Sequence, residues 1–248
     1  MVQVQELEPE TLLQAYALGI FPMADHRDAD GIYWVEPKQR GVMPLDGLHV
    51  SRSLRKLIAR DRYRVTADTA FADILALCAE SAADRPDTWI NGSIERAFVR
   101  LHELGFAHSI EVWDGEHLAG GLYGLALGGA FFGESMVSRA PSASRVALAW
   151  LVARLRVGGY RLLDCQFQTD HLASMGAVEI PRARYSVLLA NALGLGDASP
   201  ALAASTAAVG ADFGALDRLT PAADGAPAGT VSGPLSGKDI VQLLGHTS

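Results

Sequence analysis

The sequence HSIEVWDGEHLAGGLYGLALGGAFFGESMVS, residues 108–138, decides the fold. It holds three runs that are rich in apolar, aromatic and β-branched residues, at 108–113, 117–127 and 130–137. Asp114-Gly115 and Gly128-Gly129 separate these runs, and glycine-containing two-residue turns are a strong short-range signal of a β-hairpin. The segment therefore predicts a three-stranded antiparallel meander.

Helical patterns lie on both sides of the meander. Apolar residues recur every three or four positions in four segments, which predicts four helices. These segments are 9–18, 71–80, 93–104 and 142–155. Residues 161–165 predict a buried strand, 171–177 a further short helix, and 185–193 fit either a strand or a helix. A meander surrounded by helices predicts an α+β fold.

The chain divides into three regions by composition. Residues 1–48 are too few for a core of their own, so we expect a small N-terminal domain that packs on the main domain, 49–195. From Gly196 to the end, 33 of 53 residues are Ala, Gly, Ser, Thr or Pro. Such a segment buries too little apolar surface to offset its ordering entropy, so 196–248 is expected to be a mobile tail. Within it, residues 238–244 fit one or two helical turns.

Composition excludes several classes of protein. Hydrophobic residues make up 49% of the 248 residues and charged residues 20%, which excludes a mainly disordered chain. No run of about 18 uncharged apolar residues exists, so no membrane span is expected. The first residues lack the apolar core of a secretory signal, which favours the cytoplasm. Cys78 and Cys165 are too few for a disulfide framework, and neither a metal nor a cofactor is expected.

Charge is distributed unevenly along the chain. The net charge is −7, but residues 34–64 contain eight basic and three acidic residues, a local charge of +5. A basic strip on an acidic protein suits a polyanion at one side only. A solvated helix face with chance clustering would give the same count, and composition alone leaves both readings open.

Two short motifs carry side chains suited to chemistry. Glu134 lies in the last meander run, where strand alternation places it on the same face as Met136 and opposite Val137. The same rule places Asp164 and Gln166 on one side of the following strand, and a buried acid there needs a partner. Glu134 as a surface residue and Asp164 as a turn cap are the alternatives. No Gly-x-Ser-x-Gly motif supports a hydrolytic triad.

Together these motifs resemble the leucyl/phenylalanyl-tRNA–protein transferase family. The matching stretches run in order through almost all of the chain before the tail. They are Ala15-Tyr16, Gly19 to Met23, Tyr33-Trp34 with Pro37 and Arg40, His49 with Ser51 to Leu54, Thr88 to Ile90, Leu101 to Gly105, Ala107 to Trp113, Gly120 to Gly124, Gly133 to Ser138, Asp164 to Gln166, and His171 to Ala177.

The resemblance implies an activity and a fold. The family transfers Leu or Phe from aminoacyl-tRNA to proteins that begin with Arg or Lys, which marks them for degradation in the bacterial cytoplasm. The implied partners are Leu-tRNA, Phe-tRNA and those acceptor proteins, and we expect a monomer without a cofactor. The implied fold is a small N-terminal domain on a larger acetyltransferase-like (GNAT-like) domain.

The resemblance also assigns site residues. Asp164 and Gln166 match a pair proposed to act on the incoming amine, and Glu134 matches the other acid of the site. The matched or neighbouring substrate-binding positions are Trp34, Trp113, Leu122, Phe131, Met136, Leu148, Leu151 and Leu155. From the basic strip, the residues expected at tRNA phosphates are Lys38, Arg40, Arg52, Arg55, Lys56 and Arg62.

The chemistry of this activity fits such a site. An aminoacyl ester is already activated, and an α-amine with a pKa of about 7.7–8.0 is partly neutral near pH 7. Positioning can then lower the barrier by about 7–11 kcal/mol. We expect Gln166, oriented by Asp164, to accept a hydrogen bond from the amine, while Glu134, the substrate or water takes the proton.

Two alternatives differ from this interpretation. An acetyl-CoA-dependent acetyltransferase would share the fold, but it needs a Q/R-x-x-G-x-G/A turn for pyrophosphate. Arg156 and Gln242 have Gly three residues later and lack the last small residue of that turn. A noncatalytic module that binds the tRNA end would not need the Asp164-Gln166 pair.

Overall fold

The computed structural model describes residues 7–80, 88–195, 211–219 and 235–245. The helices are α1 (Pro9–Ala17), α2 (Arg52–Ala59), α3 (Phe71–Ala79), α4 (Gly92–Glu103), α5 (Ala143–Val157), α6 (Asp170–Ser174), α7 (Arg182–Ala192) and α8 (Gly237–Gly245), with a 3-10 helix at Phe213–Arg218. The strands are β1 (Phe21–Met23), β2 (Tyr33–Val35), β3 (Gln39–Met43), β4 (Arg64–Ala67), β5 (Ala107–Asp114), β6 (His117–Leu127), β7 (Ala130–Ser138), β8 (Leu162–Gln166) and β9 (Val178–Pro181).

A seven-stranded sheet forms the centre of the molecule, with strand order β4-β5-β6-β7-β8-β3-β9. Its strands β5, β6 and β7 are the predicted antiparallel meander. β7 and β8 pair in parallel, and the long helix α5 connects them. The prediction of an α+β fold is confirmed.

Helices cover both faces of this sheet. One apolar cluster contains the buried residues of α1, α3, α4 and α7, and the other contains those of α2, α5 and α8. Side chains alternate between the two faces along β7, so Phe132 lies in the first cluster and Phe131 in the second. Below, these are called the α1 face and the α5 face.

Two glycines of β6 allow its neighbours to approach closely. A Cβ atom at Gly121 would lie 2.3 Å from the carbonyl oxygen of Ile110, and one at Gly124 would lie 2.2 Å from that of Phe132. The register between β6 and β7 shifts next to Gly124. These glycines therefore mark a close approach of neighbouring backbones and a bulge.

The small N-terminal domain is present, but β3 belongs to the large sheet. We predicted a small domain that extends to residue 48, whereas β3, at 39–43, is hydrogen-bonded between β8 and β9. β1 and β2 form a separate two-stranded sheet. The segment after β2 thus joins the small domain to the large one through backbone hydrogen bonds.

Two segments of the predicted tail pack against the folded domain, and the helical turns predicted at 238–244 are confirmed as part of α8 (Gly237–Gly245). The 3-10 helix buries Phe213 and Leu216, and α8 buries Ile240 completely. Asp217 forms an ion pair with Arg154 of α5, with 2.5 Å between the nearest atoms. The low apolar content of residues 196–248 as a whole does not reveal these few apolar residues, which are spaced to face α5. Residues 196–210, 220–234 and 246–248 of the predicted tail lie outside the described residues.

The ambiguous segment 185–193 is helical, within α7. Within the described parts of the chain, no helix is both long and apolar enough to cross a membrane. The same residues contain no group of three or more His, Cys, Asp or Glu side chains placed to hold a metal ion.

Candidate active site

A cavity opens where β7 and β8 separate. The two strands pair over three positions, from Ala130 opposite Leu162 to Phe132 opposite Asp164, and then diverge. Beyond that point lies a cavity of about 990 Å³. Residues of β6, β7, β8, α5 and α6 line it, together with Trp89. Its size is that of a small-molecule site.

A bulge in β7 sets the direction of Glu134. Tyr123 pairs with Ser135 and Gly124 pairs with Gly133, so Glu134 is an extra residue in the ladder. Glu134 therefore turns toward Tyr16 on the α1 face, while Met136 packs on the α5 face. The prediction that these two share a strand face is wrong, because the bulge shifts the alternation by one residue. Both nevertheless line the cavity.

Asp164 is completely buried and is held by three residues. Arg40 donates to it from Nε at 2.9 Å and from Nη2 at 2.6 Å. The Tyr185 hydroxyl donates to Oδ2 at 2.7 Å, and the Gln166 backbone N–H donates to Oδ1 at 2.7 Å. Asp164 does not line the cavity, but it contacts Gln166, which does.

Arg40 is the partner that a buried Asp164 requires, and the prediction that it binds tRNA is wrong. Only 1% of Arg40 is exposed. Its guanidinium lies between the rings of Phe21 and Tyr185, with 4.7 Å and 4.5 Å to the ring centroids, and donates to the Gly19 carbonyl. Burial lowers the pKa of Arg40, but the adjacent Asp164 outweighs this and leaves that pKa raised.

Gln166 and Glu134 join the two diverging strands. The Gln166 side chain donates from Nε2 to Glu134 Oε1 at 2.8 Å, and the Tyr16 hydroxyl donates to the same oxygen at 2.8 Å. Gln166 has a left-handed backbone with φ of 60°, which its N–H bond to Asp164 supports. Gln166 itself lines the cavity.

Glu134 is an acid in a poorly solvated position. Burial raises its pKa to about 8, against the lowering effect of the hydrogen bonds from Tyr16 and Gln166. Its Oε2 atom is buried and has no hydrogen-bond partner among the described residues. Near neutral pH this carboxyl group can therefore gain or release a proton.

The opposite wall of the cavity is apolar. Four of the predicted substrate-binding residues line it, and Leu163 adds to them. These four are Leu122, Met136, Leu148 and Leu151. Phe131 and Leu155 are buried behind this wall instead, and Phe131 stacks on Phe213 with 5.7 Å between ring centroids. This wall suits an aliphatic or aromatic side chain.

Several residues at the cavity have no role predicted from the sequence. Trp89, Phe167 and His171 line it, and Tyr16 and Tyr185 hold the two acids. Nε2 of His171 is buried without a hydrogen-bond partner in the described part of the chain. Burial and then the nearby Arg145 lower the pKa of His171, which favours neutral imidazole. Tyr16, Trp89 and His171 do lie in stretches that carry the family resemblance.

The structure places both predicted tryptophans away from the cavity lining. Trp34 lies on β2 and is 42% exposed. Trp113 donates from Nε1 to Thr66, and Arg64 lies over its ring. Both remain predicted substrate-binding positions, and neither contributes to the apolar wall.

The other predicted tRNA-binding residues are on the surface. Arg52, Arg55 and Lys56 are exposed on α2, and Lys38 is exposed before β3. Arg62 donates from both terminal nitrogens to Asp114 at 2.7 Å, which balances its charge locally. The unpaired part of the basic strip is therefore centred on α2.

Comparison with known proteins identifies the family. Residues 42–190 match the model of the leucyl/phenylalanyl-tRNA protein transferase family, and residues 5–38 match the model of its N-terminal domain. The chain belongs to the leucyl/phenylalanyl-tRNA protein transferase family. It is an aminoacyltransferase.

Individual relatives agree with the family models. A leucyl/phenylalanyl-tRNA–protein transferase of Rhizorhabdus wittichii is 57% identical, over 99% of this chain and 100% of the relative. Proteins of the same name from Zymomonas mobilis and Afipia carboxidovorans are 60% and 54% identical. The alignment with the Zymomonas mobilis protein covers 75% of this chain and 70% of that relative. The alignment with the Afipia carboxidovorans protein covers 88% of this chain and 96% of that relative.

Proposed function

We propose that this enzyme transfers Leu or Phe from aminoacyl-tRNA to the N-terminal Arg or Lys of acceptor proteins. The α-amine of the acceptor attacks the ester carbonyl, a peptide bond forms, and the 3′-terminal oxygen of the tRNA leaves. The observation that carries the proposal is the hydrogen-bonded Gln166 and Glu134 pair beside an apolar wall in one cavity.

Gln166 and Glu134 have different roles toward the amine: Gln166 orients it and Glu134 accepts its proton. Because Gln166 donates its N–H group to Glu134, its carbonyl oxygen is directed as an acceptor for the N–H of the amine. A carboxamide is too weak a base to hold the proton. Glu134, with a pKa of about 8 and a free buried oxygen, suits that task in its ionised form.

Asp164 acts in this proposal through the backbone. Its Oδ1 accepts the N–H of Gln166 and holds that residue in its left-handed conformation at the end of β8. Arg40 and Tyr185 fix Asp164 in turn. The chain of contacts supports a positioning role for Asp164, which keeps the carboxamide directed into the cavity.

The apolar wall would receive the Leu or Phe side chain of the donor. Leu122, Met136, Leu148 and Leu151 offer contact without polar selection. Such a surface separates Leu from Phe by packing alone, a difference of about 1–3 kcal/mol. Asp170, an acidic residue that lines the cavity, suits the cation of an acceptor that begins with Arg or Lys.

Helix α2 would bind the phosphates of the acceptor stem. Its basic residues are exposed on one side, while Leu54 and Ile58 anchor the other side in the α5 face. We further propose that the enzyme works as a monomer in the cytoplasm and that its products are marked for degradation. The names of its relatives, leucyl/phenylalanyl-tRNA–protein transferases, support the tRNA-dependent transfer to protein.

A transfer assay tests the proposal. Radiolabelled Leu or Phe on tRNA is mixed with the enzyme and a peptide that begins with Arg, and with a matched peptide that begins with Asp as the control. We expect label in the Arg peptide alone. Binding of aminoacyl-tRNA without any transfer would contradict the proposal and favour the noncatalytic module.

A further inference from the structure

The basic helix α2 depends on α8 for its place in the molecule. α2 buries Leu54 and Ile58, and it packs more extensively against α8 than against α5. Ile240 of α8 is completely buried in the same apolar cluster. The exposed cations of α2 therefore rest on a support that comes from the C-terminal part of the chain.

The contact between the two elements is close at the start of α8. The Gly237 N–H donates to Asp61 Oδ1 at 2.7 Å, just after α2. A Cβ atom at Gly237 would lie 1.9 Å from the carbonyl oxygen of Ile58 and 2.8 Å from Asp61 Oδ1. Any side chain at 237 would force α8 away from α2, because the atom it meets first belongs to the backbone.

The other end of α8 is held by the helix that lines the cavity. Arg156 of α5 donates from Nη1 to the carbonyl oxygens of Leu243 and Leu244, at 3.0 Å and 3.3 Å. Leu148 and Leu151 of the same α5 form part of the apolar wall. α8 thus connects the wall of the cavity to the basic helix by contacts at both of its ends.

We propose that α8 is a positioning helix that holds α2 at a fixed distance and orientation from the cavity, so that the acceptor-stem phosphates bind while the ester lies at Gln166. α8 lies beyond residue 190, where the match to the family model ends, and so supplements the catalytic domain. The inference rests on the proposed binding of tRNA by α2.

Two aminoacyl donors distinguish a positioning role of α8 from a general effect on the stability of the protein. One is Phe-tRNA, which reaches α2, and the other is the phenylalanine ester of adenosine, which has the reactive ester but no phosphates. For Gly237→Val we expect the KM for Phe-tRNA to rise about fivefold, as for the loss of a phosphate contact, with little change in kcat. Kinetics with the adenosine ester should be unchanged. Gly245→Val is the matched control, because a Cβ atom at Gly245 would have no atom within 4 Å.

Asp61→Gly provides a second variant that keeps the backbone relaxed. Asp61 has φ of 49°, which glycine adopts readily, and the change removes only the acceptor for Gly237. Removal of an acid beside a basic strip would by charge alone strengthen tRNA binding. A raised KM for Phe-tRNA in Asp61→Gly therefore supports positioning. An equal loss with both donors in both variants would overturn it.

The double variant Arg55→Ala/Lys56→Ala distinguishes this inference from its premise. If this double variant leaves the KM for Phe-tRNA unchanged, the tRNA role of α2 is wrong and the positioning role of α8 is wrong with it. If the double variant raises that KM but Gly237→Val and Asp61→Gly do not, the positioning role alone is overturned.

Discussion

At the residue scale, the site depends on a buried ion pair behind the cavity. Asp164 and Arg40 are both almost without solvent exposure, and each satisfies the charge of the other. A buried pair of this kind adds little stability compared with apolar residues, but loss of one partner leaves an uncompensated charge. The pair thereby ties the fold of β3 and β8 to the conformation of Gln166.

Replacement of Arg40 tests this dependence. We expect Arg40→Met to lower the free energy of unfolding by about 3–5 kcal/mol, since Asp164 would remain buried without its cation. Urea denaturation measures the change. The double variant Arg40→Met/Asp164→Asn should recover part of the loss, and equal stability of Arg40→Met and the wild type would refute the coupling.

The raised pKa of Glu134 predicts a dependence of stability on pH. The folded protein holds this proton up to about pH 8, whereas an unfolded Glu releases it near pH 4.3. Between these values the folded state binds more protons, so stability is present below this window and is lost as the pH rises through it. The slope is at most about 1.4 kcal/mol per pH unit.

Glu134→Gln removes this titration. We expect the unfolding free energy of this variant, relative to that of the wild type, to increase with pH from about 4.5 to about 8 and then to level off. Urea denaturation at several pH values measures the difference, in which the other titrating groups cancel. A constant difference across this range would show that Glu134 ionises normally in the folded protein.

At the scale of elements, the separation of β7 and β8 creates the cavity and α2 provides the cations. The two strands pair for only three positions before the bulge at Glu134 and the turn at Gln166. α2 lies on the α5 face, the face that also supplies the apolar wall. In the proposed function, an aminoacyl-tRNA with an apolar aminoacyl side chain and a polyanionic acceptor stem can therefore approach from one side of the sheet.

The salt dependence of binding tests α2. Each phosphate contact that is lost should lower the slope of log K against log salt concentration by about 0.7–0.9. We expect a smaller slope for Arg55→Ala/Lys56→Ala in titrations of aminoacyl-tRNA. Arg184→Ala, an exposed cation on α7 at the opposite face, should keep the slope of the wild type. Equal slopes for the wild type and both variants would show that α2 does not bind the phosphates of tRNA.

At the scale of the whole molecule, two C-terminal segments complete the α5 face. Phe213 stacks on Phe131 and His108, and Arg154 lies over its ring. These contacts cover the wall of the cavity from behind. The C-terminal segments thus stabilise the same side of the sheet that carries the proposed donor site.

Replacement of Phe213 by Ala tests whether the 3-10 helix belongs to the folded unit. We expect Phe213→Ala to cost about 3–5 kcal/mol of unfolding free energy, the range for large buried aromatic residues. Leu219→Ala, which changes a partly exposed residue just after the same 3-10 helix, is the control with a small effect. Thermal or urea unfolding measures both, and a Phe213→Ala protein as stable as the control would contradict the packing.

Local signals explain what the sequence predicted well. The glycine turns specify the meander, and helical spacing specifies α1, α3, α4 and α5, because each pattern lies within a few residues. The Arg40–Asp164 pair spans 124 positions, and the bulge at Glu134 depends on its pairing with β6. Neither can be inferred from neighbours in the chain. The buried residues of the tail could not be predicted for a similar reason, because they are buried by contact with α5, which is distant in the chain.

The central claim is that Gln166 and Glu134 present the amine to an ester held against the apolar wall. Gln166→Ala tests it most directly, since Asp164→Ala would also leave Arg40 buried without its partner. Transfer of labelled Phe to an Arg peptide is measured alongside the binding of Phe-tRNA. We predict that binding persists while the transfer rate falls about 100-fold or more. Transfer at the rate of the wild type would contradict the account.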